Sequence, residues 1–149
     1  MKICLCGSAG GHLNQLYLLK PFWKNHDRFF ATFDRADTTS LLSGEVIYPL
    51  CYPSNRSIKA MLVNSFRAFR ILKKERPDLI ISAGAAPAIP FFYIGKLMGI
   101  RTIYIEVYDR INRTTLTGRI CYPVADRFIV QWEEMKKLYP KAIYLGSIF

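Results

Sequence analysis

The sequence predicts an α/β domain built on a Rossmann-like, mostly parallel sheet with helices on both faces. Strand-like apolar segments alternate with segments of helical period along the whole chain. The first apolar run, residues 3–6, is continuous, which is typical of a strand buried on both faces of a parallel sheet. A glycine-rich turn and an amphipathic segment follow it directly. We expect one domain spanning residues 1–149.

The individual elements follow in chain order. Strands are predicted at 3–6, 28–33, 45–51, 78–82, 101–106, 127–131 and 142–145. Pro49 marks the third strand as an edge strand or a strand end. Helices are predicted from residue 12 to about 19 and at 58–76, 88–98, 117–122 and 132–138, with Leu41 and Leu42 opening a short further segment. A polar turn is predicted at residues 52–57, with Pro53, Ser54 and Asn55, and its last residue, Ser57, suits the N-cap of the 58–76 helix.

Composition narrows the class of protein. Hydrophobic residues make up 51% of the chain and charged residues 21%, which predicts a folded domain. The longest apolar stretch, residues 83–94, is too short for a membrane span and is broken by Pro87 and Pro90. The start of the chain does not match a signal peptide, so we expect a cytoplasmic location. The four cysteines lack metal-ligand spacing and are expected to be buried, reduced thiols with no metal site.

The charge balance predicts an anionic partner. The chain has 21 basic and 11 acidic residues, a net charge of +10. Nucleic acid, a phosphorylated substrate and an acidic membrane surface all fit this charge. No nucleic-acid recognition motif accompanies it, so we expect no nucleic-acid partner.

The first glycine turn is a candidate phosphate site. Gly7, Gly10 and Gly11 follow the first strand and permit backbone angles closed to other residues. The helix predicted from His12 would point its free N–H groups and the positive end of its dipole at a ligand in the turn. The alternative is an ordinary tight turn.

Other strand ends should reach the same edge of the sheet, where ligands of parallel sheets bind. Gly84 and Ala85 follow the fourth strand, and Glu106 and Asp109 follow the fifth. An ion pair with a nearby arginine is the alternative for Glu106. The candidate acceptor or diphosphate ligands are Ser8, Gly10, Gly11, Gly84, Ala85, Glu106 and Asp109.

The turn is not a dinucleotide fingerprint. The pattern GxGxxG read from Gly7 requires glycine at two positions occupied by Ala9 and His12. A nucleotide-binding oxidoreductase fragment is therefore the weakest interpretation. A histidine at a helix N-terminus has its cationic form disfavoured, which suits a neutral base or a donor to phosphate.

The 58–76 helix carries both apolar and basic residues. Ile58, Met61, Leu62, Phe66, Phe69 and Leu72 keep a helical period, and cations fill much of the remainder. One interpretation is a core-packing helix with a solvated basic face; the other is a helix lying at an acidic lipid surface. For the second, the membrane-contact residues are Met61, Phe66, Arg67, Phe69, Arg70, Lys73 and Lys74.

Three stretches carry a family resemblance: GSAGGHLNQL at residues 7–16, SAGAAPAIPFFYIGKLMGIRTIYIE at 82–106, and the last 40 residues ending in QWEEMKKLYPKAIYLGSIF. They resemble the acceptor-side subunit of two-subunit UDP-GlcNAc transferases of dolichol-linked oligosaccharide synthesis. Bacterial relatives of that subunit act in capsule and exopolysaccharide synthesis as β-1,4-glycosyltransferase subunits.

The resemblance implies the N-terminal half of a split GT-B glycosyltransferase. This half would bind a polyprenyl-diphosphate-linked sugar acceptor, with peripheral attachment to the cytoplasmic membrane face. A separate small subunit would bind the nucleotide sugar, so no cofactor is expected on this chain and little activity from it alone. His12 is the candidate base or acceptor positioner. The alternative is a non-enzymatic membrane adaptor that recruits the catalytic subunit.

Overall fold

The computed structural model describes residues 1–52 and 57–149, and these residues form a seven-stranded sheet in which every pairing is parallel. The strand order is β3-β2-β1-β4-β5-β6-β7. The predicted fold and all seven strands are confirmed, and the Pro49 strand lies at an edge. Residues 53–56 of the turn predicted at 52–57 lie outside the described residues. The strands are β1 Lys2–Cys6, β2 Asp27–Phe33, β3 Ile47–Leu50, β4 Leu79–Ser82, β5 Arg101–Ile105, β6 Arg127–Val130 and β7 Ile143–Tyr144.

Helices connect the strands and cover both faces of the sheet. Within the described ranges they are α1 Gly11–Leu18, α2 Lys20–Trp23, α3 Ala36–Leu41, α4 Ile58–Glu75, α5 Ala88–Leu97 and α6 Leu116–Cys121, followed by a 3₁₀ helix at Glu133–Lys137. On one face, α4 and α5 pack over a core that includes Phe91, Tyr104 and Phe128. On the other, α1 and α2 cover a core that includes Leu16 and Trp23. The prediction of helices on both faces is confirmed.

Three local predictions were wrong. The short α2 was not predicted; its Pro21 is tolerated in the first turn of a helix, where the missing N–H needs no partner. The segment expected to open at Leu41 is instead a helix, α3, that ends there. The helix predicted at 132–138 is a five-residue 3₁₀ turn that buries Met135.

Helix α4 begins as predicted, with the Ser57 hydroxyl accepting a hydrogen bond from the amide of Ala60 at 3.1 Å. Its buried face differs from the predicted apolar stripe. Small or polar side chains, among them Ala60, Asn64 and Ala68, face the sheet, together with Ile71 and Leu72. Among the bulky stripe residues, Ile58, Leu62, Phe66 and Phe69 are all exposed and Met61 is half-buried. The stripe is therefore mostly a surface feature.

The cysteines are free thiols, as predicted, and Cys4, Cys6 and Cys121 are buried; the predicted burial of Cys51 was wrong, because this residue follows the edge strand β3 and is half-buried. Burial raises the pKa of the Cys4 and Cys121 thiols well above the ordinary range. None of the helices in residues 1–52 and 57–149 combines the length and hydrophobicity that crossing a bilayer requires.

A charged cluster joins three elements at the amino edge of the sheet. The Glu75 carboxylate, at the end of α4, pairs with the Lys2 ammonium of β1 and accepts a hydrogen bond from the Tyr48 hydroxyl of β3. Both hydrogen bonds lower the pKa of Glu75 below its ordinary value, and the one from Lys2 has a larger effect than the one from Tyr48. The same bond to Glu75 raises the pKa of Tyr48.

Replacing Glu75 by Gln should lower the free energy of unfolding by about 1 kcal/mol at pH 7, because the ion pair is partly shielded from solvent. Since the folded pKa lies below the unfolded value of about 4.3, the contribution is complete above that value and is lost as the pH falls through the folded pKa. Denaturant unfolding between pH 3 and 7 measures this. The exposed Glu134→Gln is the control, and a difference between Glu75→Gln and the wild type that does not shrink as the pH falls would contradict the assignment.

Candidate functional site

The two small-residue turns meet at the carboxyl edge of the sheet. The amide of Gly7, directly after β1, donates to the Ala31 carbonyl of β2 at 3.1 Å. A Cβ placed on Gly7 would lie 3.4 Å from the Gly84 carbonyl oxygen, which shows how closely the first turn approaches the second. The predicted meeting of these turns is confirmed.

Backbone conformation at the turns differs in part from the prediction. Gly10 has φ 75° and Gly84 has φ 110°, so both use the freedom that glycine provides, whereas Gly7 and Gly11 do not adopt positive φ. Ala85 also takes a left-handed conformation, with φ 70°. That conformation costs a residue with a Cβ roughly 1–2 kcal/mol, so the second turn stores backbone strain.

His12, in the first turn of α1, spans the gap between the turns. Its Nδ1 lies 2.9 Å from the Ala83 carbonyl oxygen, which can only accept, so Nδ1 carries the proton. In the neutral ring the lone pair is then on Nε2. The side chain is half-buried. The ring is thus anchored through one nitrogen, while the other is a base or hydrogen-bond acceptor.

Glycine is required at position 84 to make room for this histidine. A Cβ there would lie 3.2 Å from both Cε1 and Nδ1 of His12 and 3.1 Å from the Tyr104 hydroxyl. The amide of Gly84 donates to the Ser82 hydroxyl at 3.1 Å, which fixes the start of the turn. The second turn therefore provides a closely fitted wall for the His12 ring.

The N-terminus of α1 is uncapped by side chains of the described residues, and space around it is open. Gly10 occupies the N-cap position, and a Cβ added to Gly10 or Gly11 would meet nothing within 4 Å. Ser8, beside them, is half-buried, and its hydroxyl donates to the Ala9 carbonyl at 3.2 Å. The first-turn amides are thus accessible to an anion.

Glu106 reaches the predicted edge of the sheet but not its surface. The residue is 1% exposed, and its carboxylate accepts hydrogen bonds from the Thr115 hydroxyl, the Tyr139 hydroxyl and the Val107 amide at 2.9 to 3.1 Å. The expectation that Glu106 lines the rim is therefore corrected. None of the ion pairs within the described ranges uses it, so the alternative of an arginine partner is not observed either.

The surroundings of Glu106 are closely packed. A Cβ on Gly118 would lie 2.3 Å from Glu106 Oε2 and 2.7 Å from the Tyr139 hydroxyl, so only glycine fits there. Burial, followed by the negative charge of Glu106, raises the pKa of Tyr139 well above its ordinary range. Tyr139 therefore stays protonated and donates. The carboxylate organises the backbone between β5 and α6.

Sequence reasoning missed two glutamines that join the strand ends. Gln131 Nε2 donates to Gln15 Oε1 of α1 at 2.7 Å and to the Glu106 carbonyl at 3.0 Å. Gln15 Oε1 also accepts from the Tyr108 amide, and Gln131 Oε1 from the Ile148 amide. The sequence offered one sign of this network: Gln15 is a polar residue next to the apolar Leu16, on the side of the helix that is buried.

Asp109 remains at the rim, as predicted. It is exposed, in a tight turn closed by a hydrogen bond from the Arg110 amide to the Val107 carbonyl at 3.2 Å. Trp132 holds this turn: its indole N–H donates to the Tyr108 carbonyl at 2.6 Å, and the two rings pack at a centroid distance of 5.1 Å. Asp109 is therefore presented on a fixed turn.

The predicted membrane-contact residues form a second surface, on α4. Phe66 and Phe69 are 62% and 46% exposed, with the Arg70 guanidinium 5.7 Å from the Phe66 ring and the Lys73 ammonium 5.9 Å from the Phe69 ring. The exposed Arg67 donates to the Pro49 carbonyl, and the Lys74 ammonium lies 5.5 Å from the Tyr48 ring. Met61 is half-buried, so less of its side chain is exposed on this surface than those of Phe66 and Phe69.

An open groove of about 710 Å³ lies between α4 and β3.

Comparison with known proteins identifies one family for this chain and solved structures with the same fold. The family model described as "Oligosaccharide biosynthesis protein Alg14 like" matches residues 51–148. A curated relative, the UDP-N-acetylglucosamine transferase subunit ALG14 of Kluyveromyces lactis, is 33% identical over 125 residues, which cover 78% of this chain and 50% of the relative. The chain spans about half the length of the curated relatives it matches.

Solved structures confirm the Rossmann-like fold of the GT-B type. MurG of Acinetobacter baumannii matches with a TM-score of 0.77 at 17% identity, over 99% of this chain and 45% of MurG. UDP-GlcNAc 2-epimerase of Neisseria meningitidis, bound to UDP-GlcNAc, matches with a TM-score of 0.80 at 13% identity, over 99% of this chain and 47% of the epimerase. Because the family model covers well over half of its 149 residues, the chain belongs to the family of Alg14-like oligosaccharide biosynthesis proteins.

Proposed function

We propose that this chain is the acceptor-binding subunit of a split glycosyltransferase in lipid-linked oligosaccharide or polysaccharide synthesis. It binds a polyprenyl-diphosphate-linked sugar at the carboxyl edge of its sheet, and a separate small subunit brings the nucleotide sugar. The observation that carries the proposal is the position of His12 between the two turns, with Nδ1 bound to the Ala83 carbonyl, so that the lone pair of the neutral ring is on Nε2. The relatives' name, a transferase subunit, supports the division into two chains.

The chemistry requires a base for the acceptor hydroxyl. As that hydroxyl attacks the anomeric carbon of the donor sugar and the nucleoside diphosphate leaves, its proton passes to Nε2 of His12. The resulting imidazolium keeps its Nδ1–H bond to the Ala83 carbonyl, which stabilises the added charge. Glu106 is unsuited to this role because its oxygens are buried and already accept three donors. Asp109 is the remaining exposed carboxylate on the rim.

The diphosphate of the acceptor binds at the two turns. The uncapped amides of α1 at Gly10 and Gly11, with the dipole of an eight-residue helix behind them, favour a negative group. Ser8 adds a hydroxyl, and the strained backbone at Gly84 and Ala85 forms the opposite wall. Glu106 acts as a positioning residue that holds the backbone beside this site.

Peripheral membrane contact brings the chain to a lipid-linked acceptor. The exposed aromatic and basic residues of α4 combine insertion into the interface with attraction to anionic lipids. Because Asn64 of α4 binds both the amide and the carbonyl of Cys51, the helix is fixed to the end of β3 and hence to the edge of the sheet that carries the turns.

Replacing His12 by Ala should lower sugar transfer by the chain and its partner subunit about a hundredfold or more, the usual cost of losing a general base, with little change in Tm. Transfer from UDP-GlcNAc to a polyprenyl-diphosphate sugar measures it. The matched control is His26→Ala, the only other histidine, which precedes β2 at the opposite edge. Unchanged transfer by His12→Ala would favour the adaptor interpretation, in which the turns are only structural.

Replacing Gly84 by Ala should lower transfer about a hundredfold, because the new Cβ displaces the His12 ring and small misplacements of catalytic groups are costly. Gly99→Ala is the control for backbone strain: Gly99 also has positive φ, but a Cβ there meets nothing within 4 Å. Both variants should lose about 1 kcal/mol of stability. Equal transfer by the two variants would contradict the role of Gly84.

Replacing Phe66 and Phe69 together by Ser should weaken binding to vesicles of phosphatidylglycerol and phosphatidylcholine about tenfold or more, through lost apolar burial. Sedimentation with vesicles measures this. The control is Leu97→Ser on α5, since Leu97 is 88% exposed but lies outside the α4 surface. Equal loss in the control, or no loss in the double variant, would contradict membrane contact through α4.

A further inference from the structure

Arg110 has a buried polar atom that the rest of the described chain leaves unpaired. Its Nε is shielded from solvent and has no hydrogen-bond partner within residues 1–52 and 57–149. In the same part of the chain, neither the ion pairs nor the cation–π contacts involve Arg110. Two threonine hydroxyls, of Thr32 and Thr38, are also buried and unpaired, but they are neutral. Removing part of a permanently charged guanidinium from water without a hydrogen-bond acceptor costs more free energy than burying a neutral hydroxyl in the same way.

The nearby carboxylates do not neutralise this cation. Glu106 is already bound by the Thr115 hydroxyl and other donors, and Asp109, the preceding residue, is exposed without an ion pair to it in the described structure. The chain as a whole carries ten more positive than negative charges. An anion that completes the hydrogen bonding of Arg110 must therefore come from outside the described residues.

The backbone that carries Arg110 is held in place before any ligand arrives. Arg110 closes the tight turn after β5, with its amide on the Val107 carbonyl. Gln15 of α1 accepts from the Tyr108 amide at 3.3 Å, and Trp132 donates to the Tyr108 carbonyl at 2.6 Å. A cation on a pre-ordered turn loses little conformational entropy when it binds.

The position of the Arg110 turn on the sheet indicates which kind of anion Arg110 can bind. The turn follows β5, which is separated from β1 only by β4, so it lies about 10 Å along the carboxyl edge from the glycine turn. Gln15 joins it directly to the helix whose N-terminus forms the candidate phosphate site. A diphosphate group at this edge has the charge and the planar pairs of oxygens that a guanidinium binds best.

We propose that Arg110 is a diphosphate-binding residue. None of the sequence motifs described above points to this role. Its ligand is the diphosphate of either the lipid-linked acceptor or the nucleotide sugar. This proposal rests on the proposed function for its biological ligand, but binding of a diphosphate by Arg110 is testable on the chain alone.

The first test measures inorganic pyrophosphate binding by isothermal titration calorimetry for the wild-type chain, Arg110→Met and Arg113→Ala. Arg113 is an exposed cation three residues along and controls for general charge. Arg110→Met should bind pyrophosphate about tenfold or more weakly, the usual effect of losing a charged hydrogen bond, whereas Arg113→Ala should bind like the wild type. Equal binding by all three chains, or none by the wild type, would overturn the proposal.

Stability separates ligand binding from a structural role. Methionine keeps the apolar stem of the side chain and removes the unpaired N–H, so Arg110→Met should have a Tm equal to or above that of the wild type without ligand. Pyrophosphate should raise the Tm of the wild type more than that of Arg110→Met. A clearly lower Tm of the free variant would show that Arg110 serves the fold and would overturn the proposal.

The second test uses the chain with its partner subunit and identifies the source of the diphosphate. A tenfold rise in KM for the polyprenyl-diphosphate sugar alone assigns Arg110 to the acceptor, and a rise for the nucleotide sugar alone assigns it to the donor. Unchanged KM and kcat would contradict a role in either. If the wild-type pair transfers no sugar while pyrophosphate binding still depends on Arg110, the proposed function fails and the binding assignment stands.

Discussion

The hydrogen bond between His12 Nδ1 and the Ala83 carbonyl connects the two halves of the candidate site. It requires the turn after β1 and the turn after β4 to approach within contact distance, and glycine at position 84 leaves room for the His12 ring, because a Cβ there would lie 3.2 Å from the ring. The parallel pairing of β1 with β4 brings the two turns side by side. One interaction thus sets the tautomer of the histidine, the spacing of the turns and the need for glycine at position 84.

Beside this contact, a network of buried polar groups holds the strand ends together. Glu106 binds the segment that leads into α6, and Gln131 connects β5, β6 and α1. In this network almost every donor finds an acceptor, which makes the edge of the sheet rigid. Arg110 is the charged exception in the described chain. The diphosphate site proposed at Arg110 would therefore lie within a framework that is already ordered.

Helix α4 combines two different surfaces in one segment. Small side chains such as Ala60 and Ala68 let the helix lie close to the sheet, and the bulky Phe66 and Phe69 are left outside. The Lys2–Glu75 ion pair fixes its far end at the amino edge. Exposure of large apolar residues among cations is unfavourable in water alone, and the lipid contact proposed for α4 would remove that cost.

The order of apolar runs and glycines along the chain was enough to predict the parallel α/β fold, the strand positions and the two turns, because these features act through local geometry. It also identified α4 as a segment of dual character. The packing of distant elements was needed to show which side of α4 is buried, that Glu106 points inward, that Gln15 and Gln131 connect the strand ends, and that Arg110 Nε is buried without a partner in the described chain. These depend on contacts between residues as far apart as 116 positions, which no local pattern encodes.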